Sequence, residues 1–226
     1  LLEFKAIKGI FDRGLNSKEK SIVLWKHNKY RRKVARGKEK RGKSGPQPGA
    51  ANMKKLVRHP ISSSPHFNLI AMTSTSTDME NELEKIAQKW ADQMIWDHDR
   101  NRKLIDGTQA GQNIWQSSSS MKSKFGVQHV MGAMKNWYFE VKQYNPETLE
   151  ASGLILLIIS KAKEQSYPRP YHGPQTGHYT AMVWADTDQV GCGQASYVKY
   201  GQRFPYVNFL VCNYATAGNV IGPLKF

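Results

Sequence analysis

The sequence predicts an α+β fold, because two long segments have helical periodicity and three shorter ones have the pattern of strands. Apolar residues recur at helical spacing in residues 83–94 and again in residues 127–141. Residues 180–185, 190–199 and 207–215 are short, apolar or alternating, and separated by glycines. The three closing segments therefore predict an antiparallel meander that packs against the helices.

Local signals predict where the helices begin and end. Asn16-Ser17-Lys18-Glu19 and Thr77-Asp78-Met79-Glu80 each combine a capping side chain with an acid three residues later, so each predicts a helix start. The helix that follows Thr77 is predicted to end near residues 96–99. Asn145-Pro146 is predicted to stop the next one. Residues 107–120 lie between these two helices and are predicted to form a loop.

The charge is strongly positive and concentrated in one region. Lys and Arg total 33 against 18 acidic residues, for a net charge of +15, and 13 of the basic residues lie between positions 26 and 58. Such a patch favours nucleic acid, heparin-like polyanions or an anionic membrane, or it is simply a solvated basic surface.

No apolar run approaches the roughly 20 residues of a membrane span. No charged-then-apolar secretory leader begins at Leu1, so we expect a cytosolic chain or one that begins after processing.

One stretch matches a phosphate-binding pattern in an unsuitable context. Residues 37–44 read Gly-Lys-Glu-Lys-Arg-Gly-Lys-Ser, which fits G-x-x-x-x-G-K-S. A phosphate cradle needs a preceding strand and a following helix. Here a charged helical segment comes before the pattern and a proline-rich one after it, and proline removes backbone donors. The sequence therefore predicts no nucleotide site.

The only two cysteines, Cys192 and Cys212, have two interpretations. A bridge between them would close a loop of about 20 residues and stabilise the fold by roughly 3 kcal/mol. Such a bond would indicate an oxidising compartment. The alternative is a pair of buried thiols.

Several ordered motifs resemble one known family, the cysteine-rich secretory protein, antigen 5 and pathogenesis-related-1 (CAP) superfamily, and most closely its insect venom antigen 5 (venom allergen 5) branch. The resemblance extends from about Asn16 to the C-terminus. Its motifs are Lys26-His27-Asn28-Lys29-Tyr30-Arg31, Gly45-Pro46-Gln47-Pro48, Ala51-Asn52-Met53, Ala87-Gln88-Lys89-Trp90, His98-Asp99, Gly111-Gln112-Asn113, Gly177-His178-Tyr179-Thr180, Gly191-Cys192-Gly193 and Val211-Cys212-Asn213-Tyr214.

The resemblance implies an α-β-α sandwich with a central antiparallel sheet, a secreted protein, and a cleft that binds zinc in many members. The family's cleft positions correspond here to His98, Gln112, Glu140 and His178. Imidazoles are zinc ligands, and a carboxylate can orient them or a metal-bound water. Gln112 stands where the wider family has Glu, so we expect weak zinc affinity and no acid–base pair.

The resemblance also defines the expected domain organisation. Residues 1–15 are predicted as an N-terminal extension and residues 16–226 as one CAP domain. Stretches near 58–78 and 151–173 look inserted or replaced relative to the family. Met94 and Asn101 occupy the positions of a cysteine pair in the antigen 5 branch.

Three functions follow from these residues. The first, which the resemblance implies, is a secreted, non-enzymatic protein of the venom allergen 5 type that binds a sterol, a fatty acid or a host partner. The second is a zinc-dependent hydrolase that uses His98, Glu140 and His178. The third is a polyanion-binding module, for example for anionic polysaccharide, with a patch of Arg31, Arg32, Lys33 and Arg36.

Overall fold

The structure, a computed structural model, describes residues 9–58, 82–145 and 176–219. Within these ranges the chain forms five strands, four α-helices and one 3₁₀ helix. In order they are β1 (Ile10–Arg13), α1 (Ser17–Ala35), β2 (Val57–Arg58), α2 (Glu82–Ala91), β3 (Gly111–Ser119), α3 (Val127–Phe139), a 3₁₀ helix (Glu140–Lys142), α4 (Gly177–Val183), β4 (Gln189–Val198) and β5 (Tyr206–Ala215).

The sheet is antiparallel along its main path, in the order β1-β4-β5-β3. The two-residue strand β2 adds a short parallel pairing at the start of β4. β5 lies in the middle, where Tyr214 pairs with Gly111 of β3 and with Val190 of β4. Because successive side chains of a strand point to opposite faces, β5 contributes to two separate cores.

Helices cover both faces of this sheet. Leu210 and Tyr214 belong to the core shared with α1, α3 and α4, whereas Phe209 and Val211 belong to the core beneath α2. The predicted α-β-α sandwich with an antiparallel centre is therefore confirmed.

Two glycines of β4 let α2 lie close to the sheet. A Cβ atom on Gly191 would lie 2.5 Å from the backbone nitrogen of Glu84, and one on Gly193 would lie 2.4 Å from Cα of Gln88. The side chain of Cys192, between these glycines, points to the opposite face. There it forms a disulfide with Cys212, its register partner on β5. The disulfide is confirmed, and the interpretation as two free thiols is wrong.

Two elements differ from the sequence-based expectation. Residues 180–185, predicted as the first strand of the meander, lie mostly in the helix α4 (Gly177–Val183). Every residue from Tyr179 to Val183 is buried, so no polar face reveals the helical period. The predicted loop at 107–120 contains the nine-residue strand β3. Its polar residues conceal the alternation that would have indicated a strand.

The predicted ends of the elements are only partly correct. The capping box at Asn16 is present, with Glu19 as its second member. α2 ends at Ala91, earlier than predicted, and Met94 has a positive φ of 56°. Ile10–Arg13 pair with β4, so the sheet begins before the predicted boundary at residue 16.

Other predictions lie outside the described residues. They include the capping box at Thr77, nearly all of the stretch at 58–78, and the stretch at 151–173. In the described part of the chain, no helix has the length and apolarity to span a membrane.

Candidate functional site

The four predicted cleft residues come from four parts of the chain. His98 follows α2, Gln112 is the second residue of β3, Glu140 begins the 3₁₀ helix and His178 lies in the first turn of α4. The fold arranges them as two hydrogen-bonded pairs.

The first pair is Glu140 with His178. The imidazole Nδ1 of His178 lies 2.6 Å from Oε1 of Glu140. The other carboxylate oxygen accepts the backbone N–H groups of His178 at 2.9 Å and of Tyr179 at 3.1 Å. The side chains of Glu140 and His178 are only 16% and 15% exposed. Glu140 therefore caps the start of α4 and fixes the ring of His178, and both of its oxygens are engaged.

The second pair is Gln112 with His98. Oε1 of Gln112 accepts from Nδ1 of His98 and from the backbone N–H of Asp99, each at 3.0 Å. Its Nε2 donates to Oδ1 of Asn213 at 2.9 Å. The Gln112 side chain therefore accepts with its oxygen and donates with its nitrogen. A glutamate at this position could bond to Asn213 only by accepting from the amide nitrogen of Asn213.

The electrostatics of the cleft favour a neutral His98. Loss of water around the imidazole lowers the pKa of His98 below its ordinary value, and the bond to Gln112 opposes this. Arg102 and His178 lower the pKa of His98 further by repelling its charged form. The two pairs are linked through β3, because Gln112 contacts His98 and the next residue, Asn113, donates to the carbonyl of His178.

Trp137 forms a wall of this site. Its ring lies nearly parallel to the His178 imidazole, with a centroid distance of 6.0 Å. The buried indole Nε1 donates to the carbonyl of Ile114 at 3.0 Å, which fixes the ring. The apolar stripe of α3, predicted as core, therefore also supports the cleft.

The arrangement of the ring nitrogens fits a weak transition-metal site. Both Nδ1 atoms face oxygen acceptors, so both Nε2 atoms carry the free lone pair, as in most metal-bound histidines. The donor set is small, since the described residues contain no cluster of three or more His, Cys, Asp or Glu that could hold a metal. Two imidazoles would need water to complete a zinc coordination sphere.

A buried chain of polar residues beneath the cleft was assigned no role from sequence. Asn113 donates to the carbonyl of His178 at 3.0 Å and to the Tyr214 hydroxyl at 3.2 Å. That hydroxyl lies 2.9 Å from Nε2 of His27, whose Nδ1 faces the carbonyl of Val23 at 2.8 Å. Asn113, Tyr214 and His27 all lie in the quoted motifs, so those motifs were the available signal.

The predicted basic patch needs one correction, at Arg31. This side chain is 1% exposed and donates only to backbone carbonyls, those of Lys54, Met182, Trp184, Ala185 and Thr187. It therefore joins α1 to two loops and is not available to a ligand. Arg32 and Arg36 are exposed, and Lys33 is bound to Glu39 at 2.8 Å.

The phosphate-loop pattern at residues 37–44 follows helix α1. Glu39, near its start, is buried and holds the segment by accepting from Lys33, Arg41 and Tyr138. Burial raises the pKa of this carboxyl, but these bonds outweigh that effect and the net pKa is lowered. The stretch is thus a structural turn built around a buried carboxylate.

Comparison with known proteins agrees with this fold. Residues 24–214 match the cysteine-rich secretory protein family, CAP. The chain is 35% identical over 212 residues to venom allergen 5 of Vespula maculifrons, covering 94% of this chain and 73% of that protein. It is 37% identical over 207 residues to venom allergen 5 of Vespa magnifica, covering 92% and 71%.

Solved structures show the same fold at lower identity. The crystal structure of NaASP2 with Zn²⁺ aligns with a TM-score of 0.61 at 24% identity, covering 95% of this chain and 87% of that one. The structure of BmVAL-1 aligns with a TM-score of 0.61 at 21% identity, covering 92% and 81%.

The α-β-α sandwich is the fold of the matched CAP proteins, and the chain belongs to the cysteine-rich secretory protein (CAP) family. Within that family it is similar to the insect venom allergen 5 proteins over most of its length. Both resemblances predicted from the motifs are confirmed.

Proposed function

We propose that this protein is a secreted, non-enzymatic binding protein that takes a fatty acid or sterol between α1 and α4. The observation that carries the proposal is an apolar pocket lined by Val34 of α1, Tyr144, and Tyr179 and Val183 of α4. Ligand sites of soluble proteins are mostly apolar concavities with a few polar groups. Gln47 and Thr180 supply such groups at the pocket wall.

The free space in this pocket is about 30 Å³. Pockets for drug-sized ligands have roughly 300–1,000 Å³. A lipid would therefore insert only its end, or α1 and α4 would separate to admit more of it. Binding should then stiffen the two helices against each other.

The cleft chemistry supports binding over catalysis. Both oxygens of Glu140 are engaged, Gln112 has no charge to accept a proton, and Cys192 is oxidised. Hydrolysis through a covalent intermediate needs a nucleophile beside a free base. Neither Glu140 nor Gln112 supplies that base.

Secretion is supported by the disulfide, because such bonds persist in oxidising compartments. The relatives named as venom allergens are similar over most of the chain, so we extend to this protein the proposal of an extracellular allergen. A host partner protein is an alternative ligand for the same surfaces.

The test is a titration of purified protein with a fluorescent fatty acid and with labelled cholesterol. Val183→Trp fills the pocket and should weaken binding about tenfold or more, because the ring occupies the ligand's space. Val57→Trp, at an exposed position of β2, is the matched control and should bind normally. Absence of saturable binding, or equal affinity of both variants, would contradict the proposal.

A second candidate function is weak zinc binding by His98 and His178, favoured by their two free Nε2 atoms. Bound zinc would supply a Lewis acid at the cleft. Glu140 would hold His178 in its ligating orientation, and Gln112 would do the same for His98.

Calorimetric titration with zinc tests this candidate without relying on activity. His98→Gln and His178→Gln should each abolish the heat of binding, whereas His129→Gln, outside the cleft, should not. Peptide or ester cleavage that requires both zinc and His178 would instead support the hydrolase hypothesis.

A further inference from the structure

The segment from α1 to the end of the following loop displays positive charge only. Residues 17–49 contain twelve Lys and Arg and two acids, Glu19 and Glu39. Both acids are buried: Glu19 lies in the capping box of α1, and Glu39 lies beneath Lys33, Arg41 and Tyr138. The neighbouring helix α3 has no acidic residue. The exposed surface of this segment therefore has no carboxylate to compete with an anionic ligand.

The exposed cations of α1 form a line along the helix. Lys18, Lys29, Arg32 and Arg36 are exposed, and their spacing places them on one side together with Trp25. From Lys18 to Arg36 the line is roughly 27 Å long at 1.5 Å per residue. Lys38 and Lys40, both exposed, continue the positive charge into the loop.

Trp25, at the centre of this line, is 53% exposed, and two ammonium groups cover its ring. Lys26 and Lys29 place Nζ 5.2 and 5.0 Å from the ring centroid. Such cation–π contacts hold the charges in place and shield the indole face. The line therefore lacks the broad apolar face by which amphipathic helices insert into a lipid surface.

We propose that the line of Lys18, Trp25, Lys29, Arg32 and Arg36 on α1, which we name the α1 strip, binds a linear sulfated polysaccharide. A rigid row of charges about 27 Å long matches an extended polyanionic chain better than a single anion or a planar membrane. Sulfates pair with the exposed guanidinium and ammonium groups through charge-assisted hydrogen bonds. The proposal is independent of the lipid pocket, because that pocket contains none of these side chains.

The test uses immobilised heparin and heparin oligosaccharides of increasing length with the full chain. Wild-type protein should bind saturably, more tightly to longer oligosaccharides, and with affinity that falls steeply as salt rises. The variant Lys29→Gln/Arg32→Gln/Arg36→Gln should bind about tenfold more weakly. The slope of its log affinity against log salt should become shallower by about two to three, because three cationic side chains are removed.

The matched control is Lys85→Gln/Lys89→Gln/Lys103→Gln, which removes three exposed charges from the α2 side of the molecule. It keeps the same net charge as the strip variant and should bind nearly as wild type. Equal weakening of both triple variants would overturn the proposal, since binding would then depend on net charge alone. Tighter binding to phosphatidylserine vesicles or to duplex DNA than to heparin would also overturn it.

Two further measurements separate folding and lipid effects from the α1 strip. Thermal unfolding of both triple variants should match wild type, because all six positions are exposed. Fatty acid uptake should be unchanged in both, so failure of this proposal is distinguishable from failure of the lipid proposal.

Discussion

Arg31 and Arg32 are adjacent in sequence, yet they have opposite roles. Arg31 lies inside the molecule, and burial lowers its pKa to about 10, which still leaves it charged at neutral pH. Its donors are directed at five backbone carbonyls, most of them in the chain that follows α4. Arg32 is exposed and part of the α1 strip. The helical turn of 100° between neighbours is enough to separate a structural arginine from a surface one.

This contrast gives the first prediction. Arg31→Met should lower the free energy of unfolding by about 3–5 kcal/mol, because several buried carbonyls would lose their donors. Arg32→Met should change it by less than about 0.5 kcal/mol. Urea denaturation measures both. Equal stability of the two variants would contradict the structural role assigned to Arg31.

The second prediction concerns the charge of the cleft. Gln112→Glu would place a carboxylate against Nδ1 of His98 and the N–H of Asp99, which stabilises the imidazolium. We expect the pKa of His98 to rise by about one unit and zinc affinity to increase about tenfold. NMR titration of the imidazole measures the first, and calorimetry the second. Gln116→Glu, four residues along β3, adds the same charge and should leave His98 unchanged.

At the scale of the elements, close contact between β4 and α2 depends on glycine. The third prediction is that Gly193→Ala destabilises the protein by about 2–4 kcal/mol, because the new methyl group would meet the backbone of α2. Gly132→Ala in α3 is the control, since its methyl group finds Trp115 at an ordinary 3.5 Å. That change should stabilise by up to about 1 kcal/mol through helix propensity. A neutral Gly193→Ala would show that α2 can move away freely.

The sequence was most informative where local chemistry determines an element. The capping box predicts the start of α1 correctly, and the periodic apolar residues predict α2 and α3. α4 was not predictable, because it is buried on all sides and is completed by Glu140, a residue distant in sequence. β3 was not predicted because its residues Gln112 and Asn113 are polar. Gln112 contacts His98 in the cleft, and Asn113 belongs to the buried network beneath it.

The cleft residues themselves came from family motifs, and their pairing required the structure. Nothing in the sequence indicates that Glu140 orients His178 while Gln112 orients His98. Those partnerships depend on how β3, the 3₁₀ helix and α4 meet. The burial of Arg31 likewise depends on two loops that reach α1 from elsewhere in the chain.

At the scale of the whole molecule, one polar network connects the helical layer to the cleft. His27 of α1, Tyr214 of β5 and Asn113 of β3 lead to the carbonyl of His178 in α4. Because Nδ1 of His27 faces a carbonyl, it carries the proton, and Nε2 accepts from the Tyr214 hydroxyl. Asn113 can then donate to that hydroxyl. The network is consistent only while His27 is neutral.

This requirement makes stability depend on pH, which is the last prediction. Burial lowers the pKa of His27 to about 4, Arg31 lowers it too, and the bond to Val23 opposes them. In the unfolded chain a histidine has a pKa near 6.5, so between about pH 6.5 and 4 only the unfolded state takes up the proton. The stabilisation is complete above pH 6.5 and is lost as the pH falls, by about 3 kcal/mol in total.

Urea unfolding across that pH range measures the effect. His27→Gln keeps one donor and one acceptor, and it should flatten the slope of stability against pH by up to about 1.4 kcal/mol per unit. Val23→Ala should weaken the same part of α1 without changing the slope, because it leaves the titrating group in place. His129, whose pKa burial also lowers, would maintain some acid sensitivity in both variants. A slope that His27→Gln leaves unchanged would mean that other groups cause the acid sensitivity and that the network tolerates a charged His27.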